Sequence, residues 1–227
     1  PQIAYETSVD PGGCLVEHVA VDAGREQFQY DGLSPDGGTM AVGWYRNEEE
    51  SGLYLLDLKT GARRDIPKLN NGAVFSPDGS KLLNILPVAN GRTDIVEYDL
   101  ATGGMTFVAP HDEWEWLASY SSDGKLILFN SYRTGASDIY TYRKSDGALK
   151  QWTDFDGYEA HAQFSPDDSK ILFNRQDNGE DYNLYVIDTR TGRISQLTDE
   201  ATEESYPSWS PDGETIVFVS DRNQASG

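Results

Sequence analysis

The sequence predicts an all-β chain, a β-propeller of four-stranded blades, and three observations carry that expectation. A turn string reading Ser-Pro-Asp-Gly, or a near copy, follows a large apolar residue five times. A second turn string repeats on the same beat. Between the two lie short β-rich runs, and no stretch keeps a 3.6-residue apolar period long enough for a helix.

The first string is L-S-P-D-G at 33–37, F-S-P-D-G at 75–79, Y-S-S-D-G at 120–124, F-S-P-D-D at 164–168 and W-S-P-D-G at 209–213. Its serines stand at 34, 76, 121, 165 and 210, in steps of 42, 45, 44 and 45. The second string is D-L-K-T-G at 57–61, D-L-A-T-G at 99–103, K-S-D-G at 144–147 and D-T-R-T-G at 188–192. Each unit reads as strands A to D, with Ser-Pro-Asp-Gly closing A. Strand B is a run such as Lys125–Phe129, strand C ends at an Asp as in Asn183–Asp188, and strand D follows the T-G turn as in Arg193–Thr198.

Turn chemistry explains why these residues recur. Proline presets φ near −65°, the Asp carboxylate accepts backbone N–H groups, and Gly takes the position with φ > 0. In D-x-x-T-G the Gly again permits a left-handed residue while Asp and Thr tie the hairpin. Asp36, Asp78, Asp123, Asp167 and Asp212 are therefore expected to be structural. Asp168 stands where the fourth copy should have Gly, at an expected cost of about 1 kcal/mol unless Asp tolerates that region.

Complete blades are expected at about 32–68, 72–109, 117–153 and 160–198, within a single propeller domain spanning 1–227. The front (1–31) supplies strands B, C and D of an earlier unit, at about 2–8, 14–21 and 26–30. The back (206–227) supplies strands A and B of a later one. Five repeats are visible, six blades are favoured over five for the complete ring, and the chain is expected to be incomplete at one or both ends.

Charge narrows the function. With 18 Lys+Arg against 38 Asp+Glu the net charge is −20 and the pI about 4.3, which excludes binding to a nucleic-acid backbone. The single cysteine, Cys14, excludes an internal disulfide and a thiolate metal cluster. No apolar run reaches the length of a membrane span, so no membrane insertion is expected. The chain opens without a signal peptide, although one could already have been removed.

The combination of W-S-P-D-G, the Ile216-Val217-Phe218 strand and D-x-x-T-G resembles the TolB-type propeller repeats, as does Tyr132-Arg133-Thr134-Gly135-Ala136-Ser137-Asp138-Ile139-Tyr140, with its R-x-G-x-x-D-I-Y pattern. The resemblance implies a non-enzymatic scaffold that binds a protein or ligand, in the periplasm or secreted. An alternative is the propeller of a prolyl-oligopeptidase-type serine peptidase whose catalytic domain lies outside this chain. A propeller-fold polysaccharide lyase is a distant third. Whether the chain is an enzyme stays open, leaning to no: it has no G-x-S-x-G elbow and no βαβ region.

The D–A and B–C loops share the face on which propellers usually bind, and here they carry acids and aromatics. The residues expected to bind are Trp114, Glu115, Trp116, Asp156, Tyr158, Glu159, His161, Glu204 and Tyr206. Acids and exposed aromatics on one rim suit a protein or peptide with a basic or amphipathic segment. By repeat alignment Tyr30, Gly72, Leu117, His161 and Tyr206 are equivalent. No cofactor is expected. Ca²⁺ stays open at Asp154, Asp156 and Glu159, whose carboxylates could hold it with backbone carbonyls. Arg46, Arg92, Arg133, Arg175 and Arg222 recur near the end of strand B, which suggests structural pairing between blades. A salt-adapted origin is a competing explanation for the acidity.

Overall fold

The computed structural model describes residues 3–9, 15–21, 27–47, 50–70, 72–88, 91–177, 181–199 and 202–221, and every named element among them is a β-strand. The chain divides into two compact units, Pro1–Ala73 and Val74–Gly227. In the first, β1 (Ile3–Val9) and β2 (Leu15–Val21) form a hairpin. After it β3 (Gln27–Leu33), β4 (Thr39–Asn47), β5 (Glu50–Asp57) and β6 (Arg63–Ile66) make one antiparallel sheet in chain order. Val42, Tyr54 and Leu56 are its buried core, with Met40, Trp44 and Leu58 packed against them.

Three further sheets follow. The second blade comprises β7 (Ala73–Phe75, which begins at the division), β8 (Lys81–Pro87), β9 (Thr93–Asp99) and β10 (Met105–Val108). The third is β11 (Glu115–Tyr120), β12 (Leu126–Ser131), β13 (Asp138–Arg143) and β14 (Leu149–Gln151). The fourth is β15 (Tyr158–Phe164), β16 (Lys170–Asp177), β17 (Asp181–Asp188) and β18 (Ile194–Gln196). A two-stranded sheet, β19 (Glu204–Trp209) and β20 (Ile216–Ser220), closes the described residues.

One strand expectation is overturned. Of the residues 26–30 expected as strand D of an earlier unit, 26 lies outside the described residues and 27–30 do not take that place: Gln27–Leu33 pairs with β4, from Gln27↔Tyr45 to Leu33↔Met40, as the strand A of the first sheet. The reason is the length of strand A. In β3, β11, β15 and β19 it spans six or seven residues ahead of the Ser-Pro-Asp-Gly turn, because it continues upstream through a one-residue bulge. The register shifts between Tyr30 and Gly32, Trp116 and Ser119, Ala160 and Gln163, and Ser205 and Ser208. Leu117, His161 and Tyr206 sit at this bulge with φ of 51°, 53° and 51°. A non-glycine residue there costs about 1 kcal/mol, so packing must hold it.

Packing between blades accounts for the continuous apolar strand B runs. In β12, Ile127 and Phe129 face the second blade and meet Leu83, Ile95 and Val108. Leu128 points the opposite way and meets Ile171, Phe173 and Ile187 of the fourth. Both faces of the strand are covered, so its run Leu126–Phe129 is apolar throughout, while the buried Asn130 and Ser131 at its end are polar. β20 makes the contrast, with Val217 66% and Val219 58% exposed. Glu97 of β9 pins the second blade to the third: it accepts the Tyr120 hydroxyl and Lys81 Nζ, each at 2.8 Å, and pairs with Lys144.

The turns follow their predicted chemistry, with the serine doing more than expected. Ser76 Oγ donates to Asp78 Oδ1 (2.6 Å) and accepts the Lys81 N–H (2.9 Å), while Asp78 accepts the Ser80 N–H (3.0 Å). The same set recurs around Ser34, Ser121, Ser165 and Ser210. Hydrogen bonds from the serine hydroxyls hold Asp78 and Asp167 at a pKa of about 2.

Two departures from the repeat prove to be one exchange. A Cβ on Gly124 would stand 3.4 Å from Pro77 Cδ of the preceding blade, and one on Gly213 would stand 3.4 Å from Pro166 Cδ. The corresponding pair between the third and fourth blades is Ser122 with Asp168. Serine restores the N–H that proline lacks, and the Asp168 carboxylate takes it at 2.9 and 3.0 Å, together with the Ser122 hydroxyl at 2.6 Å. Asp168 keeps the left-handed conformation of the glycine it replaces (φ 57°). Ser122→Pro and Asp168→Gly should each destabilise alone. The double variant, which rebuilds the repeat pairing, should be more stable than their sum predicts by roughly 1 kcal/mol. Urea denaturation of the four proteins measures that coupling; strict additivity would contradict it.

Candidate functional site

Strand alternation separates the residues that the sequence places together. In Trp114-Glu115-Trp116, Trp114 is 47% exposed, Glu115 is fully buried and Trp116 is half-buried. Tyr158 and Glu159 divide in the same way, since successive side chains point to opposite faces. This corrects the expectation of an acidic rim at three positions. Glu115, Glu159 and Glu204 are each 0% exposed and lie beneath the surface. They hold one position in three successive strands A, two residues before the bulge.

Each buried acid has a structural setting. Glu115 pairs with Arg133, whose Nε donates to Ser131 Oγ (3.1 Å) and whose Nη2 donates to the Ala109 carbonyl of the preceding blade (3.2 Å). Glu159 faces Arg175 Nε at 3.8 Å. The expected arginine pairing is therefore present, but with a carboxylate of the arginine's own blade. Arg92 is the exception, meeting Glu113 beyond the end of its blade at 3.4 Å. Arg46 and Arg222 lie outside the residues whose side chains are described. The rest of the Arg-Thr-Gly segment is also structural. Thr134 Oγ1 donates to Asp138 Oδ2 (2.5 Å), and Asp138 is 1% exposed. The Glu159 carbonyl accepts Ser137 Oγ at 2.8 Å and Asn130 Nδ2 at 2.9 Å, tying the third blade to the fourth.

Above this layer lies an open aromatic groove in two adjoining parts. One, of about 750 Å³, is lined by Tyr132, Gly135, Ala136, Ser137, Asp154, Phe155, Asp156, Gly157, Tyr158, Arg175 and Gln176. The other, of about 690 Å³, is lined by Glu113, Trp114, Trp116, Tyr132, Arg133, Gly135 and Tyr158. The rings brace one another. Trp116 lies 6.3 Å from Tyr132 at 28°, and 5.3 Å from Tyr158 at 66°; Tyr158 lies 6.2 Å from Tyr182 at 87°. Gly157 is required beside them, because a Cβ there would fall 2.8 Å from the Gln176 carbonyl oxygen.

Of the residues expected to bind, Trp114, Trp116, Asp156 and Tyr158 come together in this groove. His161 and Tyr206 line neither part. They pair with each other at 4.4 Å, and His161 Nδ1 lies 2.9 Å from Asn174 Oδ1. The Ca²⁺ set also divides: Glu159 turns inward to Arg175 while Asp154 and Asp156 are exposed. No group of three or more His, Cys, Asp or Glu side chains converges among the described residues. Tyr132 and Phe155 escaped the sequence reading. Tyr132 directly precedes the Arg-Thr-Gly string, and that adjacency was the signal for it.

Burial pushes Glu159 up to a pKa of about 8, with Asp138 adding to the rise and Arg175 opposing it. Burial likewise raises Glu115, to about 7, against the pull of Arg133. A carboxyl raised in the folded state stabilises fully below its unfolded pKa, and that stability is lost as pH rises to the folded value. Glu159 should therefore remove stability between about pH 4.5 and about pH 8, at no more than roughly 1.4 kcal/mol per pH unit. Glu159→Gln should flatten that fall and leave the protein more stable than the parent at pH 8. Denaturation midpoints at pH 5 and pH 8 test this, and an equal pH dependence in the two proteins would refute it.

The model of the TolB beta propeller domain matches residues 19–182 and 150–226. Among solved structures, TolB from Acinetobacter baumannii is 30% identical with a TM-score of 0.75, over 93% of this chain and 53% of that one. The chain thus spans about half the length of that relative. An oligogalacturonate lyase in complex with manganese is 18% identical (TM-score 0.71), over 98% of this chain and 67% of that one. Puromycin hydrolase is 16% identical (TM-score 0.71), over 96% of this chain and 38% of that one. The last two likenesses are of fold.

Proposed function

The chain belongs to the TolB beta propeller domain family, and from that premise we propose that it is a non-enzymatic binding scaffold. Its aromatic groove takes a protein or peptide with a basic or amphipathic segment, in the periplasm or in a secreted setting. The observation that carries the reading is the wall of Trp116, Tyr132 and Tyr158, open to solvent and flanked by exposed Trp114, Asp154 and Asp156. Large, mutually braced aromatic side chains lose little conformational entropy on binding, which favours them as anchors. The carboxylates beside them suit a cationic partner. The lining also holds two guanidinium groups, Arg133 and Arg175. Arg133 is committed to Glu115, and Arg175 lies over the Phe155 ring at 3.8 Å.

A second reading has one observation in its favour. The match to puromycin hydrolase spans 38% of that chain, which fits a propeller that is one part of a larger hydrolase. A G-x-S-x-G segment in an α/β region of the same open reading frame would decide for it.

The scaffold reading is tested by titrating cationic amphipathic peptides and following tryptophan fluorescence. Trp114→Ala should weaken binding by about tenfold or more, while Phe107→Ala, which removes an exposed ring from β10, should leave it unchanged. Equal loss in both variants would contradict the assignment.

A further inference from the structure

We infer that the groove takes its cationic partner in exchange for a proton held on the buried Glu159: loss of that proton draws the Arg175 guanidinium off the Phe155 ring and out of the groove. This rests on the binding-scaffold reading and deepens it by giving the same site its regulation. Three observations carry it.

The first is where the proton sits. Glu159 of β15 is 0% exposed and Asp138 of β13 is 1% exposed, and the two carboxyls bear on each other across the seam between the third and fourth blades. Asp138 takes three donors: Thr134 Oγ1 at 2.5 Å, Gln151 Nε2 at 3.2 Å and Thr153 Oγ1 at 3.3 Å. Neither Glu159 oxygen accepts a hydrogen bond among the described residues. Of two neighbouring buried acids, the one without donors keeps the proton. Burial and the charge of Asp138 hold it there up to about pH 8, against the pull of Arg175 from β16. Of the other charged groups nearby, Arg133 is engaged with Glu115, and Asp154 and Asp156 are exposed in the lining of the hollow.

The second is that Arg175 has two places within reach. It is the direct partner of Glu159 across the β15–β16 ladder. Its Nε stands 3.8 Å from Glu159 Oε1, beyond hydrogen-bond distance, while its Cζ lies 3.8 Å from the centre of the Phe155 ring. Directly opposed residues have Cβ atoms about 5 Å apart, so side-chain rotation alone carries the guanidinium from one place to the other. The third blade shows the engaged arrangement. There Arg133 hydrogen-bonds the Glu115 carboxylate, and its side chain is 11% exposed against 22% for Arg175.

The third is a space that joins the two places. Gly157 lines the hollow, and a Cβ on it would stand 3.5 Å from Arg175 Nε and 3.8 Å from Glu159 Oε1. The empty corner leaves the guanidinium room to turn. With Glu159 neutral, Arg175 adds positive charge to a wall whose exposed acids favour a cation. With Glu159 ionised, that charge is withdrawn and a negative one stands beneath the hollow. A bound cation therefore favours the ionised acid, and rising pH strengthens binding by the same coupling.

The test uses the whole chain, first without ligand. The Arg175 Nε–H resonance, identified by its loss in Arg175→Lys, should shift as pH rises, with a midpoint near about pH 8, and should not shift in Glu159→Gln. The second part uses a blocked amphipathic peptide whose only charged side chains are arginines. Its affinity for the parent should rise about tenfold between about pH 6 and about pH 9, while Glu159→Gln stays level. Arg175→Met should bind it more tightly than the parent does at the lower pH. Calorimetry of the parent in two buffers of different ionisation enthalpy should show proton release on binding, a readout that needs no variant. An Arg175 resonance that ignores pH, or follows it equally in Glu159→Gln, would overturn the inference and leave the scaffold reading standing. So would binding without proton release. A peptide that binds at no pH would overturn the scaffold reading and the exchange together.

Discussion

A carboxylic acid withdrawn from water at the seam between two blades is the constraint on which the candidate site depends. Glu115 and Glu159 are each fully buried, and each backbone carbonyl is held by the preceding blade: Glu115 O accepts Thr93 Oγ1 at 2.7 Å, and Glu159 O accepts Ser137 Oγ at 2.8 Å. Burying such a group is costly unless it is paired or neutral, and both remedies are present: an arginine beside each, and a raised pKa. The glutamate points inward, and the residue before it, Trp114 or Tyr158, points the other way, as does Trp116 after Glu115. Trp114, Trp116 and Tyr158 are therefore presented to solvent by the same alternation that hides the acid. The bulge just downstream restores the register that the Ser-Pro-Asp-Gly turn requires.

How much of this was legible follows from how local each feature is. The Ser34, Ser76, Ser121, Ser165 and Ser210 turns could be read directly, because their hydrogen bonds close within five residues. The blades followed from them. Strand A was read too short, since its upstream half is defined only by pairing across the bulge. The burial of Glu115, Glu159 and Glu204 was not legible, because it is set by the neighbouring blade; in one dimension an acid beside tryptophan looks like a rim. The Ser122–Asp168 exchange was half legible. Each departure stood out alone, and only contact between blades joins them.

The net charge of −20 divides along the same line. Turn aspartates such as Asp78 and Asp167 have lowered pKa values, so their contribution is present above their ordinary pKa and is lost as pH falls through the folded value. The buried glutamates work in the opposite sense. Stability should therefore be greatest in mildly acidic solution, between the two groups' transitions. The charge free to meet a partner is that of the exposed loop acids, Asp154 and Asp156 among them.

The central claim is that the groove is preformed, held by the bonded seam beneath it. Amide hydrogen exchange on the unliganded protein tests this at the Tyr132 N–H, which donates to the Trp114 carbonyl at 3.0 Å, and the Glu159 N–H, which donates to Ser137 at 3.1 Å. Both should be protected to the level of the buried amides of Leu128 and Leu172, exchanging only with global unfolding. Exchange at the rate of the exposed turns would contradict a preformed groove.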